Sequence, residues 1–280
     1  MDKRRTEAPS QISARKTKYY LVSSLLALVL LVTAITESQP TRASAASPGP
    51  SRQVGEAQSA KPYDHDAAAL LEAYRHVEVA SVSDAIEQLL GRRMYLSHKE
   101  QPLFPARFAG YAVTVRMEKQ ENQDPHAVDG MLQAIDQGKK DSVYVMSIEN
   151  GADIAGMGGL MGTAMAARDF AGAIIDGAVR DTAYLKKIGF PVYATGIAPS
   201  TLVGHYKCAG TNVPVVIDGV TIRPGDIIAT DHDGVVVVPR DRAVDVLNLA
   251  RQLDFKEHSM YPLIEKTKSI EDAVKQFGRL

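Results

Sequence analysis

Gly172-Ala-Ile-Ile-Asp-Gly-Ala-Val-Arg-Asp181 is the stretch on which the reading of this 280-residue chain turns. Its apolar start reads as a buried strand over 171–175, and Gly177 reads as the turn that ends it. A guanidinium then stands beside a carboxylate. Arg180 brings a planar fork of donors that suits a carboxylate or phosphate. Asp181 brings the hard oxygen that Mg²⁺ or Mn²⁺ prefers. An α-keto acid needs both, one group for its carboxylate and a cation for the adjoining oxygens.

Outward from this stretch, a short helix over 181–188 and a strand over 191–194 give a βαβ rhythm and place the chain in the α/β class. Arg180 and Asp181 then fall at a strand end, where open α/β sheets gather ligands. Upstream, Gly156-Met-Gly-Gly159 reads as a glycine-rich turn leading into a helix over 160–169. The first amides of a helix lack internal acceptors and attract anions. A tight turn that only packs helix on strand is the competing account. Further helices are expected over 66–78, from a Ser83 cap to Leu90, and over 125–137. Strands are expected over 109–115 and 141–148. Downstream, short strands over 213–218, 221–223, 226–230 and 234–239 are separated by turns at Gly219, Pro224-Gly225 and Asp233-Gly234. The chain closes with a helix carrying Ala243, Val246, Leu247, Ala250 and Leu253 on one stripe and a shorter helix over 270–277.

An apolar share of 45% with 23% charged residues is that of a packed globular protein. Cys208 is the single cysteine, which excludes an intramolecular disulfide and leaves no Cys/His cluster of zinc spacing. The N-terminus differs. Lys3, Arg4, Arg5, Arg15, Lys16 and Lys18 precede an apolar run over 19–35, followed by Ala43-Ser-Ala45. This pattern reads as an export signal over 1–45 cleaved after Ala45, with an uncleaved single-helix anchor as the rival. Any membrane contact is expected through this segment alone. Residues 1–45 carry seven Lys/Arg against three Asp/Glu, a surplus of four, so a chain of net charge −1 keeps about −5 beyond them. That balance counts against nucleic-acid binding. Residues 46–63, rich in Ser, Pro, Gly and Ala, read as a flexible linker, and 64–280 as the folded domain.

Other candidates weigh less. Asp176 suits either a turn cap or a neighbour of the site. Asp218, Asp226, Asp231 and Asp233 fall in expected hairpin turns. His205 and Tyr206 read as a loop pair, structural ahead of substrate-contacting. Lys186 and Lys187 lack an apolar pocket to depress a lysine pKa, which favours a metal-dependent route over an imine.

Six runs together resemble a known family: Pro105-Ala-Arg-Phe-Ala-Gly-Tyr-Ala-Val-Thr-Val115, Gly158-Gly-Leu-Met161, Asp176-Gly-Ala-Val-Arg-Asp181, Gly189-Phe-Pro-Val-Tyr-Ala-Thr-Gly196, Asp218-Gly-Val-Thr-Ile-Arg-Pro-Gly-Asp226 and Asp233-Gly-Val-Val-Val-Val-Pro239. Over residues 65–258 the chain resembles the RraA-like family. That family includes 4-hydroxy-4-methyl-2-oxoglutarate/4-carboxy-4-hydroxy-2-oxoadipate aldolases, oxaloacetate decarboxylases and the ribonuclease E inhibitor, and its members often carry a misplaced demethylmenaquinone methyltransferase label. The resemblance implies a swivelling β/β/α domain assembled as a homotrimer or hexamer with sites between subunits. It implies a divalent cation, Mg²⁺ or Mn²⁺, on Asp181, and a small 2-oxo acid substrate held by Arg180 and by backbone around Gly158, Gly159, Leu160 and Met161. It also implies a neighbouring subunit's glutamate, matched by Glu257. One departure stands out: the family's Asp or Glu 21 positions before the arginine is Gly159 here, and Asp153 is the nearest substitute. Two functions are therefore expected, a metal-dependent lyase cleaving a C–C bond beside a pyruvyl unit, or a non-catalytic binding module. A methyltransferase is not expected, because no strand followed by a G-x-G-type loop is present.

Overall fold

The computed structural model describes residues 66–278. The signal or anchor, the linker and the expected domain start near residue 64 lie outside the described residues. Among the described residues no helix is long and apolar enough to cross a membrane.

In chain order the elements are α1 (Ala67–Arg75), α2 (Val79–Leu90), β1 (Gln101–Pro102), β2 (Phe108–Lys119), α3 (Asp129–Gln137), β3 (Ser142–Ile148), β4 (Ala155–Met157), α4 (Gly159–Ala167), β5 (Gly172–Val179), α5 (Thr182–Ile188), β6 (Val192–Ile197), β7 (Tyr206–Thr211), β8 (Val215–Ile217), β9 (Val220–Ile222), β10 (Ile227–Asp231), β11 (Gly234–Val238), α6 (Ala243–Thr267) and α7 (Ile270–Phe277). Among the described residues nine strands form one mixed sheet with the path β1-β6-β5-β3-β2-β10-β11, β4 lying beside β5 and β7 beside β2, while β8 and β9 form a separate hairpin. The β2-β3-β5-β6 core is parallel. Helices must therefore cross over between its strands, and the strands read as near-continuous apolar runs.

The segment 94–102 nearly closes this sheet. At one end Tyr95 bridges Val236 of β11, with Leu96 N donating to Val235 O at 2.9 Å. At the other end Gln101 pairs with Ala194 of β6. Strand alternation then sorts side chains into two layers. Met146, Ile175 and Ala194 face α3, α4 and α5 in one apolar cluster. Val145, Ile174 and Tyr193 face inward and join a second cluster that includes the β8–β9 hairpin, α1, α2 and α6. Burial of this many Val, Leu, Ile and Met side chains supplies the main driving force for the fold, at about 25 cal/mol per Å² of apolar surface.

Several expected boundaries move, each for a tertiary reason. α2 starts at Val79 rather than at Ser83, because its first amide donates to Asp231 Oδ2 at 2.9 Å, a cap supplied from far along the chain. Asp231 accordingly ends strand β10, buried, instead of lying in a turn. β5 runs through Gly177 to Val179. Gly177 is there for close packing and not for a turn: a Cβ at this position would lie 2.8 Å from Ile148 Cδ1 and 2.9 Å from Gly151 O. Gly156 and Met157 belong to β4. α3 begins only at Asp129, after a turn over 125–128. Tyr206 opens β7 and is buried, its hydroxyl donating to Glu149 O at 2.9 Å. The C-terminal helix keeps its stripe, with Ala243, Val246, Leu247, Ala250 and Leu253 all buried.

Candidate active site

β5 delivers Arg180 and Asp181 to the strand end, and the chain turns there into α5. Asp181 makes that turn in the left-handed region (φ 56°, ψ 34°), which Asp tolerates better than most residues. Its carbonyl starts α5, accepting from Tyr184 N at 2.9 Å and Leu185 N at 3.0 Å. Arg180 N donates to Met157 O at 3.0 Å, so β4 lies against the same turn and leads through Gly158 into α4.

Five side-chain contacts then shape the site. Asp181 Oδ2 accepts from Gly159 N, the first amide of α4, at 2.9 Å. The same oxygen lies 4.0 Å from Arg180 Nε. Arg180 Nη1 donates to Ser200 O at 3.1 Å. Ser200 Oγ in turn donates to Asp153 O at 2.7 Å and accepts from Ala155 N at 2.9 Å, which ties the loop after β6 to the entry of β4. The guanidinium is 46% exposed and the carboxylate 53%. With both groups this open, the ion pair adds little stability.

Gly158 keeps this arrangement open. Its backbone is extended, so any residue satisfies its torsions. A Cβ there would nevertheless fall 2.6 Å from Asp181 Oδ2 and 2.9 Å from Arg180 Cγ. The amides of Leu160 and Met161 follow Gly159 among the four that a helix leaves without internal acceptors, and no N-cap side chain serves them. The expectation that Gly159 N also binds substrate is corrected here, since Asp181 holds it. At position 159 a Cβ would point between Tyr184 Cδ1, 3.1 Å away, and Asp181 Oδ2, 3.5 Å away.

A groove of about 240 Å³ joins Gly158, Gly159, Leu160, Met161, Arg180 and Asp181 with the 201–203 loop. Depressions of about 410 Å³ and 550 Å³ adjoin Asp181 on its Pro199 and Tyr184 sides. The rim is apolar and bare: Leu160 is 90% exposed, Ile197 67% and Val203 59%.

The structure thus brings together every expected residue except one. Glu257 lies on α6, which packs on the α1–α2 side, and Tyr261 Oη donates to its Oε1 at 2.9 Å. Within a single chain it does not line the groove. Asp153 contributes its backbone carbonyl and not its carboxylate. His205 pairs with Glu121 at 2.7 Å, away from the groove. Ser200, Thr163, Tyr184 and the 197–203 loop were not singled out from the sequence. The rule that ligands gather beyond the carboxyl ends of parallel strands points to the loop after β6.

Asp181 can hold a divalent cation. Mg²⁺ takes one or two carboxylates and completes its shell with water and substrate oxygens. Asp181 Oδ1 has no hydrogen-bond donor among the described residues, and Gly158 keeps the neighbouring space free of a side chain. Among the described residues no three His, Cys, Asp or Glu side chains form a ready cage, so an ion on Asp181 would draw most of its ligands from water and substrate.

A family model described as RraA-like, aldolase/RraA, matches residues 79–237, more than half of the chain and the whole of the groove. This protein belongs to the RraA-like family. Among its relatives, the RraA-like chain is 30% identical over 213 residues to protein DlpA of Legionella pneumophila, covering 73% of this chain but 33% of DlpA, so it spans a third of that protein's length. It is 29% identical over 184 residues to a protein of Halalkalibacterium halodurans provisionally named 4-hydroxy-4-methyl-2-oxoglutarate aldolase, covering 64% of this chain and 80% of the other. A crystal structure of an uncharacterized protein from Pseudomonas syringae pv. tomato superposes with a TM-score of 0.68 at 30% identity, covering 78% of this RraA-like chain and 99% of that one.

Proposed function

We propose that this RraA-like protein is a lyase that breaks a carbon–carbon bond beside a pyruvyl unit, by decarboxylating oxaloacetate or by retro-aldol cleavage of 4-hydroxy-4-methyl-2-oxoglutarate. The observation that carries the proposal is the half-exposed Arg180–Asp181 pair held in one groove with the free amides at the start of α4. The name of the Halalkalibacterium relative supports the reaction class.

Arg180 presents its remaining donors to the substrate carboxylate while Ser200 O fixes one end of the fork. The amides of Leu160 and Met161 stabilise the negative charge that develops on the keto oxygen as the bond breaks, and the α4 dipole adds to them. A Mg²⁺ or Mn²⁺ ion on Asp181 would supply Lewis-acid polarisation of the keto and carboxylate oxygens. Gly159 N holds Asp181 in place for that role. Aldol cleavage also needs a group to take the proton from the leaving carbinol, and Gly159 offers no side chain for it. Decarboxylation needs no such base, because loss of CO₂ leaves the electron pair directly on the enolate. Oxaloacetate is therefore the preferred substrate in this reading.

The bare rim formed by Leu160, Ile197 and Val203 supports assembly with further copies of the chain, and a second copy is the route by which Glu257 would reach a groove. The basic stretch and apolar run before Ala45 support export or membrane anchoring, which cell fractionation tests. The absent side chain at 159 favours one second reading, a binding module without turnover. Pyruvate release by the full chain decides between the two readings. Oxaloacetate and 4-hydroxy-4-methyl-2-oxoglutarate are each assayed with Mg²⁺, Mn²⁺ or EDTA, beside an Arg180→Ala control. Metal-dependent release lost in the control is expected, and no release from either substrate overturns the lyase.

A further inference from the structure

We infer that the chain holds a hard divalent cation at a second place, an oxygen-lined pocket inside the sheet with Glu100, Asp176 and Thr195 as its side-chain ligands. The cluster draws on three neighbouring strands and the segment that closes the sheet. Ser147 of β3 pairs in register with Asp176 of β5. Ile175 pairs with Ala194 of β6, which brings Thr195 beside Asp176. Alternation turns all three side chains to the inner layer, opposite to the face that carries α3, α4 and α5. The β8–β9 hairpin covers them, since Ser147 Oγ donates to Val216 O at 3.2 Å. The hairpin turn is fastened to the closing segment in turn: Asp218 Oδ2 accepts from Ser97 N at 2.9 Å and Asp218 O from Arg93 Nη2 at 2.7 Å.

That closing segment carries Glu100, which is only 2% exposed. Both of its carboxylate oxygens are buried without a hydrogen-bond partner, and so is Thr195 Oγ1. Buried polar groups are almost always partnered, and a buried carboxylate is costly unless something compensates its charge. The charges nearest to Glu100 make matters worse. Burial first, then Asp176 and Asp218, push its carboxyl up to about 9. Burial and Asp218 push Asp176 up to about 6, with Lys99 acting the other way. A proton on Glu100 neutralises that group alone and does not compensate Asp176. A cation does. Three carboxylates offset by the Lys99 ammonium leave two negative charges, the charge of one divalent ion, and oxygen donors select the Mg²⁺ or Ca²⁺ class. No three acidic groups among the described residues meet at one point. Asp218, held by Ser97, therefore stands outside the ligand set, and water or backbone carbonyls complete it. The site lies on the other face of β5 from the groove helices and does not depend on the lyase reading.

Calorimetric titration of the chelator-stripped full chain with Ca²⁺ or Mg²⁺ alone tests it, in an Asp181→Ala background that removes the groove carboxylate. One bound ion per chain is expected, with affinity weakened roughly tenfold or more by adding Glu100→Gln. Thr195→Val in the same background is expected to weaken binding too and decides the matter if the Glu100→Gln chain does not fold. No ion bound by Asp181→Ala, or an affinity unchanged by either added substitution, overturns the inference.

Discussion

Asp176 and Asp181 belong to one short stretch of chain, and the fold places them in opposite surroundings. Asp181 stands at the open end of β5, half exposed, with an amide and a guanidinium at hand. Asp176 points into the closed side of the same strand, towards Glu100 and Asp218 and without a cationic side chain bonded to it. The first carboxylate is open to solvent. The second sits where desolvation opposes its charge. A carboxylate is thus made reactive or made costly by its partners and its access to water, not by its place in a motif.

The largest effect that sharpens this contrast is on the open side. Arg180→Ala is expected to lower kcat/KM for pyruvate release by roughly a thousandfold, the scale of losing one oriented charged donor. Being half exposed, it is expected to change unfolding free energy by only about 0.5 kcal/mol. Loss of activity that tracks loss of folded protein would break the comparison. Gly158→Ala tests the cradle. A Cβ 2.6 Å from Asp181 Oδ2 displaces that carboxylate, so kcat/KM is expected to fall about 100-fold, a common result of small misplacement. Circular dichroism is expected to stay unchanged.

Ser200→Ala removes the hydroxyl that ties the 198–201 loop to β4 while leaving the carbonyl that holds Arg180. A loss of about 1 kcal/mol of orientation corresponds to a KM raised about fivefold with kcat little changed, and Ser200→Thr is expected to restore part of it. An effect on kcat alone would place Ser200 outside the binding of the substrate carboxylate.

The effect on the closed side is read as a slope. With no cation present, the Glu100 carboxyl is raised from 4.5 to about 9 in the folded chain. The unfolded chain then binds fewer protons than the folded one across that interval, so the contribution to stability is full below pH 4.5 and is lost as pH rises towards 9. Urea unfolding of the chelated protein is expected to show stability falling over this window, and Glu100→Gln is expected to flatten it. A variant with the same slope as the parent would move the cause elsewhere, with Asp176 next to examine.

Much of the site was legible from residue types alone. Arg180, Asp181 and the glycines before α4 stood out because few structural roles need a guanidinium, a carboxylate and three glycines at strand and helix ends. The groove holds them together. Ser200 was not legible, because its role is to fasten two loops distant in sequence, and a serine in an Ala-Pro-Ser-Thr loop carries no pattern of its own. Glu100 was hidden for the opposite reason. In Lys99-Glu100-Gln101 it looks like a surface charge, and only the closing of the sheet buries it. The start of α2 was misplaced because Asp231, from another strand, caps it in place of a local serine.

By itself the sequence determined the α/β class, the RraA-like identity, the pairing of a guanidinium with a carboxylate at the Arg180–Asp181 turn and the apolar stripe of α6. These follow from local periodicity and from side-chain chemistry that does not change with context. The tertiary structure decided which carboxylates are solvated, which amide Asp181 holds, where Arg180 rests and why Gly158 and Gly177 have no side chain. Those depend on distances between strands that no local pattern encodes, because hydrogen bonding and desolvation act over a few ångströms in space whatever the separation along the chain.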